Sequence, residues 1–321
     1  MPPRNTTDRR SQAEPDRPDD GPPGGTFAID GHPYAAPPLA PGLHVVATPI
    51  GNLADVTLRA LATLAAADRI LCEDTRVTSR LLARYAIRRP LQSYHEHNAA
   101  RLRPRLLERL AAGDRLALVS DAGTPLISDP GYKLVREARE RGLAVTVVPG
   151  PSALTAALVA SGLPSDRVLF AGFLPAKSGQ RRNALKAYRT LDATIVAFVS
   201  PRQAAAALAD IGAVLGNRDV AVCRELTKIH EETIAGPVAE VAAEVAGRGS
   251  LKGEITVVIS PPAAGGAVAA DEIDRRLTDL LGHMAPSEAA REVARALGAP
   301  RRAVYERALA LRPRADPGDE P

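Results

Sequence analysis

Between Leu43 and Ser260 short β-rich runs alternate with helical patterns of 10–15 residues, and this alternation limits the fold more than any other feature of the sequence. Strands separated by helices cannot pair as simple hairpins. The pattern therefore predicts βαβ units, an α/β fold and a mostly parallel sheet. The strand-forming runs are Leu43–Ala47, Arg69–Cys72, Arg115–Ser120, Ala144–Val148, Val168–Phe173, Thr194–Val199, Val220–Leu226 and Glu254–Ile259. Helical spacing of Leu58, Leu61, Ala62, Leu64 and Ala65 follows Asp55, read as an N-cap; Leu134, Val135 and Ala138 show the same spacing after Asp129-Pro130-Gly131. A Gly162-Leu-Pro-Ser165 break divides the region into two α/β domains, 42–163 and 164–262. Beyond a Pro/Ala/Gly linker at 261–270, helical patterns at 271–282, 287–297 and 301–311 predict a small helix-turn-helix-like domain over 271–312, with a tail at 313–321. Residues 1–41 hold ten prolines and scattered charge without periodicity, and are expected to form a disordered leader.

Composition narrows the function. A chain of 321 residues with 45% hydrophobic content has material for more than one core, which excludes wholly disordered and disulfide-stapled classes. No stretch approaches the roughly 18 apolar residues of a membrane span, and Met1 to Asp20 is Pro-rich and charged, so a cytoplasmic protein without membrane association is expected. Cys72 and Cys223 each lie inside an apolar run and read as reduced packing residues; no metal site is indicated. Residues 1–41 carry four arginines against six acids, so the remainder is more basic than the overall net charge of +4. Only five of the 41 basic residues are lysines. Arginine's planar fork of donors suits phosphate, although an Arg-rich, Lys-poor chain also follows from base composition.

In an open parallel sheet ligands bind beyond the carboxyl ends of the strands, so the loops there carry most of the functional information. Thr48-Pro49-Ile50-Gly51-Asn52 offers one glycine between a strand and a helix, which equally fits a tight turn. Ser120-Asp121-Ala122-Gly123-Thr124-Pro125 runs on through Ile127-Ser128-Asp129-Pro130-Gly131, a long loop of small residues with two carboxylates, costly to order as a mere connection. There Gly123 admits a ligand close to the backbone and Asp121 can accept from an amine or hydroxyl. Pro149-Gly150-Pro151-Ser152-Ala153 fixes a bend and sets Ser152 at a helix N-terminus. Neither G-x-G-x-x-G nor G-x-x-x-x-G-K-[ST] occurs. Glu73, 22 residues after Gly51, is a weak echo of the ribose acid of a dinucleotide site.

Other clusters have two readings. His95-Glu96-His97-Asn98 fits a polar active-site or RNA-facing loop better than a metal site, since no third ligand is evident. Glu73-Asp74-Thr75-Arg76 is either a functional group of charges or acids at the positive end of a helix. Lys177, Arg181, Arg182 and Lys186 form a basic turn and helix, which a solvated helical face also explains.

Taken in order, these loops resemble the tetrapyrrole methylase superfamily of S-adenosylmethionine-dependent methyltransferases, and within it the bacterial 16S rRNA (cytidine-2′-O)-methyltransferase branch. The matching stretches are Thr48-Pro-Ile-Gly-Asn-Leu-Ala-Asp-Val-Thr57, Glu73-Asp-Thr-Arg76, Leu118-Val-Ser-Asp-Ala-Gly-Thr-Pro-Leu-Ile-Ser-Asp-Pro-Gly-Tyr132 and Pro149-Gly-Pro-Ser-Ala153. Gly162-Leu-Pro-Ser-Asp166, Gly172-Phe-Leu-Pro-Ala-Lys177, Arg224-Glu-Leu-Thr-Lys228 and Lys252-Gly-Glu254 continue the likeness. It covers about residues 43–260, and the helical tail fits the branch's small C-terminal domain. The resemblance implies two α/β domains of the tetrapyrrole methylase type, S-adenosyl-L-methionine in a cleft between them, a homodimer, and 16S rRNA or the small ribosomal subunit as partner, with no DNA. It also implies that Pro49, Asp121, Ala122, Gly123, Thr124, Pro125, Ser152 and Ala153 line the cofactor site from the first domain, and Phe173, Leu174 and Ser200 from the second. One segment departs: where the branch reads Tyr-Glu-Ser-Pro-His-Arg, this chain has Phe198-Val199-Ser200-Pro201-Arg202-Gln203.

Methyl transfer from a sulfonium needs an acceptor held in line and, for a ribose hydroxyl, a proton acceptor nearby. The 2′-hydroxyl itself selects RNA over DNA. Asp74, with Glu73 beside it, is the candidate proton acceptor and Arg76 the residue that positions the RNA backbone. In that role the Asp74 carboxyl is expected to rise in pKa, provided Arg76 pairs with RNA instead of the acid. A porphyrinoid methyltransferase, a non-catalytic ribosome-associated RNA-binding protein and an NAD-dependent oxidoreductase are the alternatives.

Overall fold

The computed structural model describes residues 25–128, 131–262, 270–297, 299 and 301–311. Two compact units divide the chain between Ser152 and Ala153.

The first unit opens with a hairpin of β1 (Thr26–Ile29) and β2 (His32–Ala35), where disorder was expected. Asp30 and Gly31, both at positive φ, make its two-residue turn, an Asp-Gly hairpin signal hidden in a Pro-rich setting. Phe27 stacks on Tyr34 and buries itself against the first helix layer, which is what orders this stretch. Residues 1–24, the rest of the expected leader, lie outside the described residues.

There follow β3 (Gly42–Val46), α1 (Leu58–Ala66), β4 (Arg69–Cys72), α2 (Thr75–Arg84), β5 (Leu91–Ser93), α3 (Glu96–Ala111), β6 (Arg115–Leu118), α4 (Tyr132–Glu140) and β7 (Val145–Val148). The five strands β3 to β7 form a parallel sheet in the order β5-β4-β6-β3-β7. Strands buried on both faces read as continuous apolar runs, and β3, β4 and β6 do. Helices α1 and α2 pack on one face with Val46, Ile70 and Cys72; α3 and α4 pack on the other with Leu43, Leu71 and Leu118. Thr57, not Asp55, caps α1, its hydroxyl accepting from Ala60 N; Asp55 belongs to a short 3-10 turn capped by Asn52.

The second unit begins with α5 (Ala153–Ser161), ahead of the expected break at 162–165. The reason is packing: α5 lies on the second sheet, where Cys223 Sγ donates to Ala157 O. Then come β8 (Val168–Phe173), α6 (Ser178–Lys186), β9 (Thr194–Val199), α7 (Ala204–Leu215), β10 (Asp219–Arg224), β11 (Glu232–Pro237), α8 (Val238–Gly247) and β12 (Ile255–Ile259). The sheet order is β11-β10-β12-β9-β8, and only β8 and β9 run parallel. The expectation of a mostly parallel sheet fails here. The unanticipated β11 follows β10 without a helix, and a short connection of that kind forces antiparallel pairing. Helices α6, α7 and α8 bury one face through Leu185, Leu208, Ile211 and Val241. Both cysteines are free and buried, as their apolar settings implied.

Last in the chain, α9 (Ala270–Leu281), α10 (Pro286–Leu297) and α11 (Arg301–Leu311) enclose a separate small core of Leu277, Ala289, Ala290, Val293, Val304 and Ala308. No helix among the described residues is long and apolar enough to cross a membrane.

Candidate active site

The β3 and β6 loops leave adjacent strands toward helices on opposite faces of the first sheet, a switch point where a parallel sheet opens for ligands. Here they are tied together. Thr48 N donates to Gly123 O at 2.9 Å and Gly123 N to Thr48 O at 3.0 Å, an isolated antiparallel bridge beyond the parallel strands. The Thr48 hydroxyl donates to Ser120 O, while the Ser120 hydroxyl donates to the carbonyls of Ala122 and Gly123. Thr124 Oγ1 reaches Pro151 O at 3.5 Å, bringing the loop after β7 to the same place. Pro49, Gly123 and Pro125 are buried in this knot, and Ala122 is exposed.

The long loop holds its shape against local preference. Gly123 has φ +78°, and the non-glycine residues Leu126 and Ser128 stand at +74° and +69°. Glycine takes up that conformation freely, but the two non-glycine positions cost of order 1–3 kcal/mol each, persist only where the surroundings over-determine them, and cluster at ligand sites. At Gly123 an added Cβ would sit 3.3 Å from Ile50 Cγ2, so the cradle is narrow as well as strained. Asp129 and Pro130 lie outside the described residues.

Asp121 spends one oxygen on the backbone N–H of Asp74, at 3.0 Å, and has no other hydrogen bond among the described residues. That bond joins the β6 loop to the β4 loop. From there Ser93 donates to Glu73 O, and Asn98 Nδ2 to Ser93 O, reaching His95 at the carboxyl end of β5. Loops after β3, β6, β4 and β5 thus share one edge of one sheet. His95 caps α3 together with Asn98, and its Nδ1 is buried with no hydrogen-bond partner among the described residues. Its ring meets that of His97 edge to face at 5.8 Å, and no group of three or more metal-ligating side chains comes together among the described residues.

Arg76 pairs with the acid here, so the condition for a raised pKa is not met at Asp74. Asp74 is the N-cap of α2, accepting from Arg76 N at 2.8 Å, and Arg76 Nη2 lies 2.6 Å from its carboxylate. The Arg76 side-chain and backbone donors hold the carboxyl at about 2, lower than usual and not higher. Arg76 itself projects into solvent from that pair. The cause is local: a residue two positions into the helix folds back on the cap.

In the second unit Phe173, Leu174 and Ser200 stand at the carboxyl ends of β8 and β9. Phe173 is 66% exposed, edge to face with Phe198 at 5.3 Å, and Leu174 is buried with its N–H on Phe198 O. Ser200 is exposed at the start of a 3-10 turn. Val199, where the family branch carries an acid, faces the apolar core with Leu174 and Ile255, so that position contributes packing here. Arg224-Glu-Leu-Thr-Lys228 and Lys252-Gly-Glu254, far apart in sequence, interlock. Glu225 accepts from Lys228 Nζ and Glu254 N, and a Cβ on Gly253 would fall 2.3 Å from its carboxyl carbon. Glu225 and Thr227 both adopt positive φ. In the basic turn Lys177, Arg182 and Lys186 are exposed, as a solvated face requires, whereas Arg181 is almost wholly buried.

Comparison with known proteins agrees with these features. A family model described as Tetrapyrrole (Corrin/Porphyrin) Methylases matches residues 42–242, and one described as RsmI C-terminal HTH domain matches residues 267–312. A Mesorhizobium japonicum protein named ribosomal RNA small subunit methyltransferase I is 52% identical over 285 residues, covering 88% of this chain and 97% of that protein. One of the same name from Xylella fastidiosa is 47% identical, covering 82% and 97%. Among solved structures, a diphthine synthase at 17% identity and TM-score 0.54 covers 68% of this chain and 89% of its own, a likeness of fold.

Proposed function

The chain belongs to the tetrapyrrole (corrin/porphyrin) methylase family, and we propose that it uses S-adenosyl-L-methionine to methylate the 2′-hydroxyl of a cytidine ribose in 16S rRNA. The observation that carries this reading is the likeness along 97% of a curated ribosomal RNA small subunit methyltransferase. The tied loops at the switch point support it. A porphyrinoid substrate has less support, because the match extends through the helical C-terminal region. An NAD site would want a helix starting at the glycine turn, and α1 starts only at Leu58, behind a 3-10 turn.

The residues present fit such a cofactor. Small side chains at Ala122, Gly123 and Ala153 let a ligand approach backbone polar groups, and the spare oxygen of Asp121 can accept from an amine or a hydroxyl. Pro49, Thr124, Pro125 and Ser152 fix the loops in place around it. When bound, the cofactor supplies an electrophilic methyl group on a sulfonium. The protein's task is then to hold the ribose oxygen about 3–3.5 Å away, a positioning effect that removes several kcal/mol of barrier.

Arg76, exposed beside this edge, is the residue to meet an RNA phosphate. Once it does so, Asp74 is released from the pair and becomes a better proton acceptor, with Glu73 adjacent. In the pair it is a weak base. The proposal includes work as a homodimer in the cytoplasm, checked by the mass of the particle in solution.

Activity is tested by mixing the purified protein with methyl-labelled S-adenosylmethionine and 16S rRNA or small subunits that lack the modification. Label in the RNA, recovered as 2′-O-methylcytidine, is the expected result. No transfer to either substrate, together with tighter binding of NAD than of S-adenosylmethionine, would overturn the reading.

A further inference from the structure

In the second unit a concavity of about 850 Å³ lies between α6 and α7, lined by Lys177, Arg182, Lys186 and Arg189 with Gln180 and Asn183. No acidic side chain lines it. Lys177, Lys186 and Arg189 are exposed and form no ion pair among the described residues. Beneath them Arg181 is buried and fixed: it donates to the carbonyls of Pro175 and Ala176 and lies 2.7 Å from Asp210. That acid, also buried, accepts from Ser178 and sits 3.0 Å from Arg182, so one carboxylate is shared by two guanidiniums. Arg218, also buried, has no acidic partner among the described residues. It donates to the carbonyls of Tyr188, Arg189 and Ser260, which pins the turn carrying Arg189. Desolvation pushes its pKa below the ordinary arginine value.

A set of like charges on a rigid frame repels itself and costs stability, unless an anion occupies it in the working state. Cations spread along an open groove, with amide side chains between them, match the repeating charge of a phosphodiester chain. The apolar lining is only Ala213 and Val214, too little for insertion into a lipid surface.

We propose that the α6–α7 groove binds the RNA phosphate backbone through Lys177, Lys186 and Arg189, and so positions rRNA apart from the loops of the first sheet. The proposal rests on the rRNA reading for its biological ligand. The groove itself is testable without it.

The full chain carrying Lys177→Gln, Lys186→Gln and Arg189→Gln is compared with the parent for binding to 16S rRNA and to polyuridylate across a salt series. Each lost phosphate contact lowers the salt slope by about 1, so the triple variant should lose about 3 from the slope and bind at least tenfold more weakly at moderate salt. S-adenosylmethionine affinity should be unchanged, while the RNA concentration that gives half-maximal single-turnover methylation should rise at least tenfold. Lys177→Arg with Lys186→Arg should retain the slope. Unchanged affinity and slope for both RNAs would overturn the proposal. Groove-dependent binding of polyuridylate by a protein that neither binds nor methylates 16S rRNA would uphold the groove and remove the rRNA reading. Weaker binding to an acidic protein, with both RNAs unaffected, would assign the groove to a different partner and overturn the proposal.

Discussion

At the scale of single residues, the loop tied to β3 decides whether this edge holds a cofactor. Gly123 stands at positive φ and is bridged to Thr48, so a bulky replacement would disturb the backbone as well as any ligand. Gly123→Ala is the cleaner change. An L residue in this left-handed region costs about 1–2 kcal/mol of stability, and S-adenosylmethionine affinity measured by calorimetry should fall tenfold or more. An unchanged affinity would remove this loop from the site. For Asp74, asparagine keeps the cap but removes the charge. Asp74→Asn should lower single-turnover methylation by about 10² while both ligands still bind. A loss under threefold would move the proton acceptor to His95 or Glu254. Because the carboxyl of the free protein, paired with Arg76, lies at about 2, the pH profile of kcat/KM should show no Asp74 inflection between pH 5 and 8, and one rising through that range would point to histidine. The loop that carries Asp121 and Gly123 was legible as a built feature because a long run of small residues is conspicuous. The Asp74–Arg76 pair was not, since which partner an arginine chooses depends on the helix geometry that brings it back to its cap.

Among elements, most strands of both sheets were readable, but each sheet holds one that was not, β5 in the first and β11 in the second. Continuous apolar runs such as Arg69–Cys72 and Thr194–Val199 fixed their own strands to the residue. Glu232–Pro237 contains Gly236 and Pro237 and becomes a strand only through pairing with β10, a non-local contact no window reveals. The same holds for α5, whose allegiance to the second unit is set by what it packs on. Where β4 and β6 adjoin, Asp68 accepts from Arg115 through backbone N at 2.7 Å and side-chain Nε at 2.9 Å. Burial works to raise the Asp68 carboxyl, but the bonds from Arg115 outweigh it and leave it below the usual range. A carboxyl depressed in the folded state stabilises above its ordinary value near 3.8 and loses that contribution as pH falls below it. Asp68→Asn should therefore cost about 1–2 kcal/mol in urea unfolding at pH 7, and the gap between variant and parent should close below pH 4. A gap independent of pH would mean that the charge contributes nothing.

For the whole molecule, the helical tail has its own core and its own family match, so it can be removed without opening either sheet. Truncation after Ser260 should leave S-adenosylmethionine affinity unchanged while weakening RNA binding and flattening its salt dependence. If affinity and slope match those of the full chain, the tail serves some other purpose than RNA contact. Which atom is methylated is tested most directly by mapping ribose 2′-O-methylation along 16S rRNA in cells with and without this gene. One cytidine should lose its 2′-O-methyl group in the deletion and regain it when the gene is restored. An unchanged map would overturn the proposed reaction, as would a lost methyl group on a base instead of a ribose.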